Sequence, residues 1–327
     1  MKIIVLDGYA LNPGDLSWED MKALGDLTVY DRTTPSEVLE RSADAEVLIT
    51  NKTVLSAKLI NALPKLKYIG VLATGYNVVD IDSARNRGIV VTNIPAYSTA
   101  SVAQMVFAHL LNITHRVGYY ASQNSQGRWT ENKDFCYWDT NLVELAGKTM
   151  GIVGFGNVGE LVCEKLSGFG CKILVSNLFE PEHKNPRINW DKVRFVELDE
   201  LLTSSDIISL HARSNSKKPI FAKREFEMMK PTAYFINTSR SYMVDYNALY
   251  AALNKQLIEG AAIDVFEVEP LGNDHPFLKL DNITLTNHRG GDTLNSYADS
   301  PKMMLHELKC HLNGVREPKF WINKGAF

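Results

Sequence analysis

The stretch Thr149-Met150-Gly151-Ile152-Val153-Gly154-Phe155-Gly156-Asn157-Val158-Gly159-Glu160-Leu161-Val162 decides the fold. Met150 to Val153 is an apolar run with the length of a buried strand, and Leu161, Val162 and Leu166 then recur at helical spacing. The glycines between them answer three different steric demands. Gly154 permits the tight turn out of the strand, Gly156 lets the backbone approach a ligand, and Gly159 lets the helix pack closely on the strand. The first amides of a helix have no partner within it and stabilise an anion. A plain strand-to-helix turn does not need this triplet, so Gly154 to Gly159, with Asn157 and Val158, is expected to bind a dinucleotide pyrophosphate.

The following strand, Lys172 to Ser176, should end in an acid that accepts from the adenosine ribose hydroxyls; the chain has Asn177. Asn can bond a ribose hydroxyl but lacks the charge that repels a 2′-phosphate. No Arg follows to grip such a phosphate, and in Leu178-Phe179-Glu180 the acid can supply the missing charge. NAD is the expected cofactor, with NADP left open.

Outward from the fingerprint, short β-branched runs alternate with amphipathic stretches on both sides. C-terminally the expected strands are Ile207 to His211, Ala233 to Asn237, Ala261 to Val265 and Ile283 to Thr286, making six with the two already named and hence a doubly wound sheet. N-terminally they are Ile3 to Leu6, Leu27 to Tyr30, Val47 to Thr50, Tyr68 to Leu72 and Ile89 to Val91. Parallel strands need long crossovers, so this rhythm implies helices on the faces of a second parallel sheet. One extended helix from Thr99 through Val117 should bridge the two series, and Leu294 to Leu312 should be a helix that packs back on the first domain. The aromatic-rich stretch 123–140 has no clear period. It reads equally as a subunit interface or as a loop laid over its own domain.

With 327 residues the chain is longer than one core usually serves. The expected division is a first domain of residues 1–99 plus 295–327 and a dinucleotide domain of residues 100–294. A net charge of −3 with no basic, aromatic-interleaved segment gives no reason to expect nucleic acid or an anionic membrane as a partner. The apolar run after Lys2 stops at Asp7, too short for an export signal, and no run has a membrane-spanning length, so a cytoplasmic location is expected. The four cysteines, Cys136, Cys163, Cys171 and Cys310, have no metal-binding spacing and read as reduced packing residues, with no metal site expected.

Three segments end strands of the dinucleotide sheet on the side where such sheets place ligands: Asn237-Thr238-Ser239-Arg240, Asp264-Val265-Phe266-Glu267-Val268-Glu269-Pro270 and Thr286-Asn287-His288-Arg289-Gly290-Gly291. Arg offers a planar fork for a carboxylate or carbonyl oxygen, and His moves a proton near neutral pH. An Arg, a carboxylate and a His so placed suit hydride chemistry on a keto acid.

These segments, together with Leu6-Asp7-Gly8-Tyr9, Asn12-Pro13-Gly14-Asp15-Leu16-Ser17-Trp18 and Ala73-Thr74-Gly75-Tyr76-Asn77, resemble the D-isomer-specific 2-hydroxyacid dehydrogenases, and within them the glycerate dehydrogenase or hydroxypyruvate reductase group. The resemblance covers essentially the whole chain. It implies an α/β fold with a Rossmann dinucleotide-binding domain inserted into a flavodoxin-like substrate domain, a homodimer, and a catalytic set of Arg240, Glu269 and His288. By position, Arg240 clamps the substrate's carboxylate and carbonyl oxygen, His288 passes the proton, and Glu269 pairs with His288, although Pro270 also suits Glu269 to a helix end. Asp264 is placed at the nicotinamide carboxamide or else caps a turn. Val102 faces the nicotinamide or packs, and His211, Thr238, Ser239 and Gly290 fall at family cofactor contacts. Lys52, Thr74, Gly75 and Tyr76 fall where the first domain receives the substrate carboxylate, with an ordinary exposed lysine the other reading of Lys52.

The chain departs from the family pattern at Gln104, Arg213, Ser241 and Asn287, none of which removes a catalytic group. Related formate dehydrogenases carry Gln where Glu269 stands. Hydroxypyruvate is the expected substrate, with glyoxylate and pyruvate as alternatives, and a non-enzymatic NAD sensor of the corepressor kind is the rival from another class.

Overall fold

The computed structural model describes residues 1–10, 12, 14, 16–212, 218–315 and 320–324. The chain forms two compact units, Met1–Tyr97 with Asp292–Phe327, and the continuous stretch Ser98–Gly291.

In the first unit, β1 (Lys2–Val5), β2 (Asp26–Val29), β3 (Val47–Thr50), β4 (Tyr68–Val71) and β5 (Val90–Thr92) pair in parallel in the order β2-β1-β3-β4-β5. This is the doubly wound order of flavodoxin-like sheets. Alternate residues feed opposite faces, as strand geometry requires: Ile4, Leu48, Ile69 and Val91 join one core, while Ile3, Ile49, Tyr68 and Val90 join the other. That double burial is why these strands read as unbroken apolar runs. The helix Leu294–Leu312 covers the second face through Met304 and Leu308. Gly70 makes room for it, since a Cβ there would collide with the Met304 sulfur. Asn323 then ties the chain end to β5, accepting from Val91 N at 2.9 Å and donating to Ile89 O at 2.7 Å.

The second unit holds a seven-stranded parallel sheet of β6 (Thr149–Val153), β7 (Lys172–Ser176), β8 (Val193–Phe195), β9 (Ile207–Leu210), β10 (Tyr234–Asn237), β11 (Gly260–Ile263) and β12 (Ile283–Leu285). Its order is β12-β11-β10-β9-β6-β7-β8, the Rossmann arrangement with one strand added at an edge. The chain steps outward from β6 to β8 and returns across it to β9, so the switch point lies between β6 and β9. Ligands of open α/β sheets bind at the carboxyl ends beside such a point. Strand β8 is not among the six strands expected: a three-residue edge strand centred on Arg194 has neither the length nor the apolar run that marks the others.

The bridging helix also differs from expectation. It runs Thr99–His115, Arg116 takes a left-handed conformation (φ 50°), and a second helix follows over Val117–Ser125. The side chain of Asn112 explains the break, because its Oδ1 accepts from Gly118 N at 3.1 Å while its backbone carbonyl caps Arg116 N at 2.7 Å. Ala103, Val106, Leu110 and Ile113 of the first helix pack on the sheet with Met150, Ile152 and Ile236. Beyond Ser125 the loop braces itself, with Trp129 Nε1 donating to Phe135 O at 2.8 Å and Tyr137 bonding Asn124 at 2.7 Å. It leaves Phe135 88 % and Trp138 76 % exposed, so these rings are not laid over their own unit.

Cys163 and Cys171 are buried and unpaired, and burial pushes the Cys163 thiol up to about 12, as suits an inert packing residue. Among the described residues no helix is long and apolar enough to cross a membrane.

Candidate active site

The glycine turn after β6 has the geometry its spacing implies. Gly154 adopts φ +95°, and a Cβ on it would strike the backbone of Ala212, which follows β9 across the switch point. A Cβ on Gly159 would strike the Gly154 carbonyl, which sets how closely the helix Asn157–Leu166 can lie against its strand. Around Gly156 the situation is reversed: a Cβ there would meet no protein atom within 4 Å. Gly156 is the N-cap of that helix and puts no side-chain cap on its first amides. At the end of β10, Thr238 Oγ1 is buried and makes no hydrogen bond. Open space beside Gly156, amides without a side-chain cap and an orphaned buried hydroxyl at the carboxyl edge are the features a bound dinucleotide would satisfy.

Asn177 braces this turn. Its Oδ1 accepts from Phe155 N at 3.1 Å and its Nδ2 donates to Phe179 O at 2.6 Å, engaging both ends of the side chain with backbone. Leu178 and Phe179 stand 89 % and 79 % exposed beside it. At the end of β9, His211 Nε2 and Ser209 Oγ are 2.9 Å apart, and burial pushes the imidazole down to about 4, so it is neutral.

After β10, Asn237 shapes the turn that carries Arg240. Its Oδ1 accepts from Ser239 N at 3.0 Å and its Nδ2 donates to Arg240 O at 3.2 Å. Ser239 Oγ donates to Ala212 O at 3.2 Å, joining this turn to the one beside Gly154. Arg240 Nη1 donates to Ser239 O at 2.8 Å, and the side chain is half-buried.

Glu269 and His288 pair directly, with His288 Nδ1 at 2.9 Å and 2.7 Å from the two carboxylate oxygens. Glu269 Oε1 also accepts from Phe266 N at 2.9 Å, closing the turn after β11. No helix begins at Pro270, so Glu269 is not a helix-end residue. His288 takes φ 56°, a left-handed conformation that residues bearing a Cβ avoid. Asp264, only 1 % exposed, holds the turn from below: Arg289 N donates to Oδ1 at 2.9 Å and Gly290 N to Oδ2 at 2.8 Å. Asp264 is thus a turn cap in the structure, whatever else it contacts. Val102 approaches the same turn, with its Cγ2 at 3.8 Å from where a Gly290 Cβ would stand.

Register places these groups together at one sheet edge. Asn237, Ile263 and Leu285 are paired across β10, β11 and β12, and Arg240, Asp264 and His288 lie just beyond them. The remaining candidates belong to the first unit. Lys52 lies in the loop after β3, whose amides Asn51 N, Lys52 N and Thr53 N donate to Asp7 at 2.6–2.8 Å. Thr74, Gly75 and Tyr76 follow β4, where Thr74 O accepts from Asn93 Nδ2 at 2.8 Å and Tyr76 is exposed.

Residues 107–290 match the family model described as "D-isomer specific 2-hydroxyacid dehydrogenase, NAD binding domain". A hydroxypyruvate reductase of Blautia hydrogenotrophica is 42% identical over 292 residues, 88% of this chain and 89% of the relative. The chain belongs to the D-isomer-specific 2-hydroxyacid dehydrogenases. A glycerate dehydrogenase of Methylorubrum extorquens is 33% identical, with 88% of each chain covered. The crystal structure of TT0316 protein from Thermus thermophilus superposes with a TM-score of 0.83 at 28% identity, covering 98% of this chain and 100% of that one. The protein is accordingly an NAD-dependent oxidoreductase of 2-hydroxy acids and their keto acids.

As a member of this family it has several departures from the common pattern. Gln104 is exposed on the bridging helix, Ser241 opens a short 3-10 turn, and Asn287 is exposed before His288. Arg213 lies outside the described residues. Sequence reasoning missed Asp7 as the support of the Lys52 loop, and Thr286 and His109 as groups beneath the His288 turn. Only Asp7 left a usable signal, a carboxylate at the end of an apolar strand, where it would otherwise be costly to bury.

Proposed function

We propose that this dehydrogenase reduces hydroxypyruvate to D-glycerate with NADH, using Arg240, Glu269 and His288. The observation that carries the reading is the Glu269–His288 pair, 2.7 Å apart, at the carboxyl edge of a dinucleotide-binding sheet that also carries Arg240. The 42% identical relative named hydroxypyruvate reductase supports this choice of keto acid.

Bound NADH supplies the hydride to the carbonyl carbon. Arg240 holds the substrate's carboxylate and carbonyl oxygen, orienting the carbon and stabilising charge that develops on the oxygen. Glu269 accepts from Nδ1–H of His288, which fixes the ring and leaves Nε2 to give the carbonyl oxygen its proton. In the reverse direction Nε2 takes that proton back. Lys52 and the backbone at Thr74, Gly75 and Tyr76 complete the hold on the carboxylate. NAD(H) is preferred, because Asn177, Leu178, Phe179 and Glu180 offer no cation to a 2′-phosphate.

The protein works as a cytosolic homodimer in this reading. The exposed rings of Phe135, Trp138 and Trp129 support the subunit interface, and four unpaired cysteines suit a reducing compartment. The test is NADH consumption by the purified protein with hydroxypyruvate, glyoxylate and pyruvate, repeated with NADPH. The highest kcat/KM is expected for hydroxypyruvate with NADH. A higher value for another keto acid reassigns the substrate, and no turnover with any of them favours an NAD sensor.

A further inference from the structure

Below the turn that presents His288, the half-buried Thr286 and the buried Asp264 and His109 connect it to the helix Thr99–His115. Thr286 Oγ1 lies 2.6 Å from Asp264 Oδ1, and His109 Nε2 lies 3.1 Å from the same hydroxyl. A hydroxyl has one proton, and at 2.6 Å from a carboxylate that proton goes to Asp264. His109 Nε2–H therefore donates to Thr286 Oγ1, which fixes the tautomer of the ring. Burial, partly opposed by the nearby Asp264 charge, holds the His109 pKa below its usual value, in keeping with a neutral imidazole that is only 2 % exposed. The chain has one direction: His109 donates to Thr286, Thr286 donates to Asp264 Oδ1, and Asp264 also accepts from Arg289 N on that same oxygen and from Gly290 N on Oδ2.

We propose that His109 and Thr286 are positioning residues for His288, acting through the Asp264 carboxylate. His288 sits at φ 56°, so its turn keeps that shape only while something outside it determines the backbone. Two amides immediately after His288 do so by binding Asp264, and a carboxylate free to rotate would not fix them. Thr286 removes that freedom, and His109 orients Thr286. Glycine at 290 lets the turn come this close to the carboxylate, since a Cβ there would lie 2.9 Å from Asp264 Oδ2. Linked donors and acceptors of this kind polarise one another and stiffen the array.

The proposal rests on His288 as the proton donor, and the experiment separates the two claims. Steady-state kinetics with NADH and hydroxypyruvate are measured for Thr286→Val, Thr286→Ser, His109→Leu, the His109→Leu/Thr286→Val double variant and His288→Gln, with NADH affinity read by fluorescence. Thr286→Val is expected to lower kcat by about tenfold or more, since small misplacements of a reacting group carry penalties up to about 10²-fold. NADH affinity and the keto acid KM should stay within about twofold of the parent, and Thr286→Ser should restore most of the rate. His109→Leu should lower kcat alone but add little in the Thr286→Val background, because both act on one carboxylate. Parental kcat in Thr286→Val, no rescue by Ser, or fully additive losses would overturn the proposal. If Thr286→Val does not fold, a parental kcat in His109→Leu overturns it just as well. A parental rate in His288→Gln removes the underlying reading instead, whereas loss there beside a parental Thr286→Val defeats the positioning claim alone.

Discussion

Asp7 and Asp264 each follow a parallel strand and pin the loop after the neighbouring strand, yet the two loops are held in different ways. Asp7 ends β1 and gathers the loop after β3, with three amides and the hydroxyls of Thr50 and Thr53 on one carboxylate. That loop contains no left-handed residue, so the carboxylate caps a relaxed turn. Asp264 ends β11 and gathers the loop after β12, where His288 is left-handed and the carboxylate is itself backed by Thr286 and His109. A relaxed loop needs only satisfied amides, whereas a strained one needs a rigid partner. The strained loop carries the candidate proton donor.

Acid sharpens the contrast most, because the Asp264 sheet contains neutral buried imidazoles. His211 has its pKa pushed down by burial from 6.5 to about 4, so between those values the unfolded chain binds a proton that the folded chain refuses. Its contribution to stability is therefore present above pH 6.5 and is lost as the pH falls toward 4, by about 3 kcal/mol at about 1.4 kcal/mol per pH unit. Denaturant titrations at about pH 7, above that window, and at about pH 4.5, near its lower end, should show a smaller acid-induced loss in His211→Asn than in the parent. Equal losses would mean that other groups govern acid stability.

The next effect compares the two aspartates directly. Asp264→Asn sets an amide donor against Thr286, Arg289 or Gly290, and is expected to lower kcat about 10²-fold with a smaller change in KM. Asp7→Asn disturbs an unstrained loop of the first unit and should raise the keto acid KM about tenfold with kcat near the parental value. Steady-state kinetics on both variants decide this. Losses of the same kind and size in both would erase the distinction between strained and relaxed loops.

The architecture was legible where burial writes itself into the residue pattern. Ile3 to Leu6 and Met150 to Val153 are apolar on both faces, and the triplet Gly154, Gly156, Gly159 marks the turn at which the sheet doubles back. What escaped was set by single hydrogen bonds. The Asn112 side chain ends the bridging helix before Val117, although the apolar period continues past it. Strand β8 depends on pairing with β7 and has no pattern of its own. Around the site, Arg240, Glu269 and His288 were suggested by residue type at strand ends. His109 lies in an apolar helical period and Thr286 at the end of a strand, so nothing in their spacing separates them from packing residues. Their meeting needs the fold.

Proton donation by His288 is tested most directly by single-turnover NADH oxidation in His288→Gln, with saturating NADH and hydroxypyruvate. A loss of several hundredfold or more is expected, in line with the roughly 10²–10⁴-fold that general acid catalysis contributes, while NADH binds as tightly as in the parent. A variant rate within a few fold of the parent would contradict the account.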